Sequence, residues 1–205
     1  TVGLYGPHCP YVCPKELYDY YYENLPPIEN NQSFQESVHS AVKKWYENRG
    51  IAIVTEEETR RARAAYYGLI ELMDCSIGRL IETIDKTIGL KETLLIYASD
   101  HGDMVGEKGM FWKTNFYEGS ARVPMIFSMP GVIQTNKTIK QPTSLLDLGP
   151  TLIDVCGGPK LPRTDGESLF DMLKGETEEN HNRIVISQLA DNKGDNPSAM
   201  IRQND

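Results

Sequence analysis

Three consecutive residues, Asp100-His101-Gly102, carry the first sign of chemistry in this chain. A carboxylate and an imidazole are both ligands for divalent cations, and an ion held by them would neutralise and polarise an anionic ester. The triplet directly follows residues 93–99, TLLIYAS, an apolar run suited to a strand buried on both faces, as in a parallel sheet. In open α/β sheets, ligands gather at the carboxyl ends of strands. Neighbouring residues on a regular strand point to opposite faces, so Asp100 and His101 can meet at one ion only where the chain leaves the strand. Gly102 gives the backbone freedom to turn there. Taken alone, the triplet reads equally as a strand-end Asp capping the next turn.

Two further residues fit the same chemistry. Lys113 closes the segment Gly109-Met110-Phe111-Trp112-Lys113, beside two bulky aromatics. A lysine in apolar company needs an anion, either a structural carboxylate or a substrate oxygen. His8 lies in the loop Gly6-Pro7-His8-Cys9-Pro10-Tyr11 and could donate to an anion or a leaving group. The plainer reading of His8 is a loop imidazole bonded to backbone. His39 and His181 receive no role.

The elements that must position these residues alternate between helix and strand. Residues 1–6 read as a short strand, and the prolines after them forbid helix. Residues 15–24, KELYDYYYEN, predict a short helix. Residues 33–48 predict another, with Phe34, Val38, Val42 and Trp45 on one face. Thr55-Glu56-Glu57-Glu58 has the form of a capping box. It opens a long helix whose stripe of Tyr66, Leu69, Ile70, Met73, Ile77, Leu80, Ile81 and Ile84 faces a core and ends near Gly89. A second buried strand is expected over residues 123–129. Thr143 or Ser144 caps a helix through Leu148, and Pro150 suits the first turn of the next, which ends at Gly157-Gly158. A helix over 168–174 and a strand over 184–187 follow. The expected class is α/β, with a mixed, mostly parallel central sheet flanked by helices.

Bulk properties exclude some partners. The 205 residues suffice for one packed domain, and 40% hydrophobic with 24% charged residues is a globular composition. A net charge of -8 argues against nucleic acid and anionic membrane surfaces, although a local pocket can still be basic. No apolar run approaches the roughly 20 residues that span a bilayer. Cys9, Cys13, Cys75 and Cys156 lack the paired spacing of a zinc site and read as plain thiols. Thr1 opens on neither an initiator Met nor a signal peptide, and residues 199–205 show no closing element. A fragment of a longer chain is therefore expected.

The ordered motifs resemble a known family. Ser99-Asp100-His101-Gly102-Asp103-Met104-Val105-Gly106-Glu107-Lys108-Gly109, Lys113 and Ala121-Arg122-Val123-Pro124-Met125-Ile126 are similar to the C-terminal part of a sulfatase catalytic domain, in the alkaline-phosphatase superfamily. Phe116 to Pro124, FYEGSARVP, resembles the choline-sulfatase-like branch. The Pro7-His8-Cys9-Pro10-Tyr11 loop, residues 144–152 and Asp165-Gly166-Glu167-Ser168-Leu169 match further family segments in family order.

The resemblance implies an alkaline-phosphatase-like sandwich, here incomplete, that hydrolyses a small sulfated substrate. It implies Asp100 and His101 as metal ligands, Lys113 as the residue that binds the sulfate and its metal-side oxygen, and His8 as one that contacts the sulfate or assists the leaving group. The family's ion is usually calcium; an imidazole at position 101 suits manganese or zinc somewhat better. Family catalysis uses a formylglycine made from a Cys or Ser in a C/S-x-P-x-R motif. No such motif occurs in the 205 residues, and Ser128-Met129-Pro130-Gly131-Val132 lacks the arginine. The nucleophile is therefore expected in an N-terminal part outside this sequence, and the fragment alone is expected to be inactive.

Overall fold

A computed structural model describes residues 1–28, 39–51, 54–190 and 197–203. The helices are α1 (Lys15–Asn24), α2 (Ser40–Arg49), α3 (Glu56–Thr87), α4 (Glu118–Ala121), α5 (Leu148–Val155) and α6 (Phe170–Lys174). The strands are β1 (Leu95–Ala98), β2 (Met104–Val105), β3 (Phe111–Trp112), β4 (Met125–Ser128), β5 (Ile184–Leu189) and β6 (Ser198–Gln203). The chain forms two compact units, one of Thr1–Thr87 with His101–Val123 and one of Ile88–Asp100 with Pro124–Asp205.

In the first unit, α1 begins directly after Pro14, as the sequence predicts. The helix expected over 33–48 is present as α2; Phe34 and Val38 lie outside the described residues, and Val42 and Trp45 pack toward the core. Thr55 and Glu58 form the predicted capping box, with Glu58 N–H donating to Thr55 Oγ1 at 3.2 Å and Thr55 N–H to Glu58 Oε2 at 2.8 Å. The core of Ile51, Met104, Val105, Met110 and Phe111 is joined by Tyr11, Tyr66 and Tyr117. Residues β2 and β3 pair antiparallel, Met104 with Trp112 and Val105 with Phe111.

Two expectations need correction in this unit. Residues 1–6 form no strand, and Val2, Leu4 and Tyr5 are exposed. An extended apolar start needs a partner strand, and none among the described residues pairs with it. The long apolar stripe of α3 is half-buried, with Leu80 38% exposed. The buried face is instead Ala64, Ala65 and Gly68. Small residues let α1 approach so closely that a Cβ on Gly68 would lie 2.5 Å from Cys13 Sγ and 3.3 Å from Leu17 Cβ.

In the second unit, β1 pairs antiparallel with β4, from Leu95 opposite Ser128 to Ala98 opposite Met125. The α/β class holds, but the ladders among the described residues are two-stranded and antiparallel, and the four β1 residues are half-buried. A continuous apolar run reports burial on both faces and says little about a neighbour's direction. Residues 198–203, read from sequence as an open end, form β6 and pair with β5, Ile186 opposite Ile201. Ser144 caps the turn into α5, its hydroxyl accepting from Leu146 N–H at 3.2 Å while its own N–H donates to Asp147 Oδ2 at 2.8 Å.

Asp147 is the polar centre of this unit. It is fully buried and accepts two parallel bonds from Arg183, Nη1 to Oδ2 at 2.8 Å and Nη2 to Oδ1 at 2.7 Å. Arg183 also donates to the Pro142 carbonyl at 3.1 Å, and Glu167 N–H donates to Asp147 Oδ1 at 2.9 Å. One carboxylate thereby joins three segments, those of Ser144 with Asp147, of Glu167 and of Arg183. No helix among the described residues is long and apolar enough to cross a membrane.

Candidate active site

The first unit brings His8, His101 and Lys113 together, from loops far apart in sequence. Lys113 Nζ lies 2.6 Å from His8 Nε2 across 105 positions, and the His8 and His101 ring centroids are 6.0 Å apart. His8 Nδ1 is 2.7 Å from the Cys9 carbonyl oxygen. A carbonyl only accepts, so Nδ1 carries the proton and Nε2 presents its lone pair to the Lys113 ammonium. One ring nitrogen of His8 is thus bonded to backbone, as the plainer reading has it, and the other faces Lys113.

His101 follows the same rule. Its Nδ1 is 2.9 Å from the Gly102 carbonyl, which assigns the proton to Nδ1 and the lone pair to Nε2. Metal-ligating histidines commonly donate their second nitrogen to a backbone carbonyl in this way. The donor chemistry of His101 thus fits a cation in kind. Asp100 belongs to the other unit, where it is exposed at the bend directly after β1 and Ser99. In number the donors fall short, because no three His, Cys, Asp or Glu side chains among the described residues cluster as an ion would require.

Gly102 is needed for a different reason than the sequence suggests. Its φ is not in the left-handed region; its N–H donates to the Ser120 carbonyl at 2.8 Å, and an added Cβ would lie 2.1 Å from the Gly119 oxygen. Close approach of two backbones fixes this glycine. Gly102→Ala is expected to lower unfolding free energy by about 1–3 kcal/mol, as overpacking does. Urea titration measures the loss, and the His101 ring resonances should move with it.

Sequence reasoning missed two residues here. Tyr11 donates to Asp103 Oδ2 at 2.7 Å across 92 positions, tying the Pro-His loop to the Asp-His-Gly loop. Asp103 Oδ1 is buried with no hydrogen-bond partner. Burial pushes the Asp103 carboxyl above its usual range, partly offset by the Tyr11 bond and by the electrostatic influence of the nearby His101, His8 and Lys113 side chains. Burial, with the neighbouring Asp103, raises the Tyr11 phenol well above its ordinary value. The only signal in the sequence was proximity, since Asp103 lies two residues after His101 and Tyr11 three after His8.

Lys113 sits between two residues in an uncommon backbone conformation. Trp112 has φ 65° and Thr114 φ 71°. Left-handed conformations at non-glycine residues cost on the order of 1–3 kcal/mol each and persist only when their surroundings hold them. The strand pair β2–β3 holds Trp112 on one side. On the other, Thr114 Oγ1 accepts from Trp45 Nε1 at 3.0 Å and from Arg49 Nη2 at 2.9 Å, and itself donates to the Lys113 carbonyl.

Comparisons with known proteins bear on the family and the fold. The family model described as Sulfatase matches residues 1–158. The choline-sulfatase of Rhizobium meliloti is 40% identical over 184 residues, covering 85% of this chain and 35% of that protein. Arylsulfatase K of Gallus gallus is 35% identical over 125 residues, covering 61% and 23%. A solved phosphonate monoester hydrolase from Silicibacter pomeroyi superposes with a TM-score of 0.80 at 25% identity, covering 96% of this chain and 44% of that one. The chain thus spans about a third of the choline-sulfatase, 35%, and less of arylsulfatase K, 23%. With its motifs in order and a matching fold, the chain belongs to the sulfatase family.

Proposed function

We propose that this chain forms one wall of a sulfuric-ester hydrolase site, with Lys113 and His8 binding the sulfate of a small sulfated substrate. The observation that carries this reading is the 2.6 Å approach of Lys113 Nζ to His8 Nε2. The Lys113 ammonium, positioned by the His8 Nε2 lone pair, can donate its remaining hydrogens to an anionic oxygen placed beside it, and His8 joins it as a donor when Nε2 is protonated. Lys113 fixes the anion as a compact positive charge. His8, its Nδ1–H held by the Cys9 carbonyl, must first take a second proton at Nε2; it then gives that proton to the departing alcohol oxygen and returns to the neutral form whose lone pair faces Lys113.

Asp100 and His101 are, in this proposal, two ligands of a divalent ion, calcium foremost and manganese or zinc as alternatives, whose remaining ligands come from outside the described residues. When bound, such an ion supplies charge neutralisation and polarisation of the ester. A formylglycine nucleophile would come from a segment outside these 205 residues, so the chain alone turns over no ester. The likeness to a phosphonate monoester hydrolase supports a second reading, phosphonate- or phosphodiester hydrolysis by the same residues. The complete reading frame carrying this chain should hydrolyse nitrophenyl sulfate faster than a nitrophenyl phosphonate. The reverse preference would move the assignment to the second reading, and turnover by the 205 residues alone would overturn the claim that they lack the nucleophile.

A further inference from the structure

We infer that Trp45 and Arg49, on α2, are positioning residues that hold Lys113 in its anion-binding conformation through the Thr114 hydroxyl. The inference rests on the proposed role of Lys113. Trp45 Nε1 and Arg49 Nη2 both donate to Thr114 Oγ1, at 3.0 and 2.9 Å, from 69 and 65 positions away. The same hydroxyl donates to the Lys113 carbonyl, so its hydrogen and lone pairs are all engaged. The Arg49 guanidinium also covers the Trp45 ring at 4.8 Å from its centroid and approaches the Trp112 ring at 6.0 Å.

These contacts fall on the two residues that flank Lys113, and both flanking residues have positive φ. A β-branched Thr at φ 71° is unfavourable by itself, so something outside the loop must select that conformation. The β2–β3 ladder fixes the Trp112 side. Among the described partners of the Thr114 hydroxyl, the α2 donors are the ones that come from outside the loop. Arg49 is exposed and 64 positions from Lys113, yet its bond ends one residue from it. With the hydroxyl bonds gone, Thr114 relaxes to negative φ, and Lys113 Nζ leaves His8 Nε2. Neither α2 residue touches the anion.

The test separates this inference from the role of Lys113. On the full chain, a cross-peak between the Lys113 Hε and His8 Hε1 protons reports their contact, and calorimetry with sodium sulfate reports affinity. Arg49→Ala and Thr114→Val should each erase the cross-peak and weaken sulfate about three- to tenfold, the effect of one or two hydrogen bonds. Thr114→Ser keeps the hydroxyl and should restore both signals, which a purely structural role for the methyl group would not allow. A cross-peak that survives in Arg49→Ala and Thr114→Val overturns the inference, whatever sulfate does. If the cross-peak is lost in these variants while Lys113→Ala binds sulfate as the parent does, the positioning stands and the anion-binding role of Lys113 fails.

Discussion

Replacing Arg183 by alanine is expected to lower the unfolding free energy by about 3–5 kcal/mol, the cost of leaving a buried charge without its partner. The side chain of Arg183 is 7% exposed and that of Asp147 is 0% exposed, so water cannot take the place of the missing guanidinium. Asp147 would keep the Ser144 and Glu167 N–H donors, which cannot neutralise a full charge in that setting. Arg183→Lys should recover little, because an ammonium cannot make both parallel bonds. The double variant Asp147→Leu with Arg183→Leu should be less destabilised than the sum of the single variants, since neither charge is then stranded. Denaturant melts of the parent, Arg183→Ala, Arg183→Lys, the single variants Asp147→Leu and Arg183→Leu, and the double variant measure these differences. Additive losses would show that the pair does not act as a unit. The Asp147 bonds keep the Arg183 guanidinium ionised beyond its already high ordinary range.

In a full-length sulfatase carrying this segment, Lys113→Ala should reduce kcat by about 10²–10³, the range found when one preorganised donor to a developing anion is removed. The expectation follows from position. The residues flanking Lys113 have φ 65° and 71°, and its Nζ is fixed 2.6 Å from a histidine, so its geometry is set before substrate arrives. Lys113→Arg should not rescue activity, because a planar fork cannot occupy the place of a point charge packed against an imidazole. Steady-state kinetics with an aryl sulfate decide it. A variant with parental kcat and only a raised KM would assign Lys113 to uniform binding instead.

Local chemistry made much of this fold legible in advance. Pro14 and the charged run after it place α1, and Thr55 with Glu58 place the start of α3, because each rule acts within a few residues. Strand pairing was not legible in the same way. The run over 93–99 correctly announced β1, yet its antiparallel neighbour β4 lies some thirty residues on and is chosen by packing. Residues 1–6 have the composition of a strand and form none, since a strand exists only with a partner.

The site divides along the same line. That Lys113, His8 and His101 lie close together could be suspected from sequence, since imidazoles are scarce in this chain and the lysine stands beside two aromatics. Tyr11 and Asp103 were not legible, since neither type is unusual in its loop and their bond spans 92 positions. Arg49 lay furthest from view: its part depends on the φ of Thr114, which no spacing rule predicts. The function of Gly102 was misread for a related reason, as the closeness of Gly119 to it is a tertiary fact.

The first unit is interrupted in sequence, and the ribosome makes it in order. Its opening segment, Thr1–Thr87, emerges well before His101–Val123, which supplies β2, β3 and most of the core. Until those later residues leave the exit tunnel, the Pro-His loop has neither Lys113 nor Asp103 to engage, and α3 exposes Ala62 and Tyr66 without their packing partners. Closing a loop of this length carries an entropic cost that grows only slowly with length, so the delay is set by synthesis at roughly 5–20 residues per second. A nascent chain stalled before His101 should therefore be open to proteases and chaperones at the Pro-His loop and along the side of α3 that carries Ala62 and Tyr66. One stalled beyond Val123, with enough linker to clear the tunnel, should become protected in a single step.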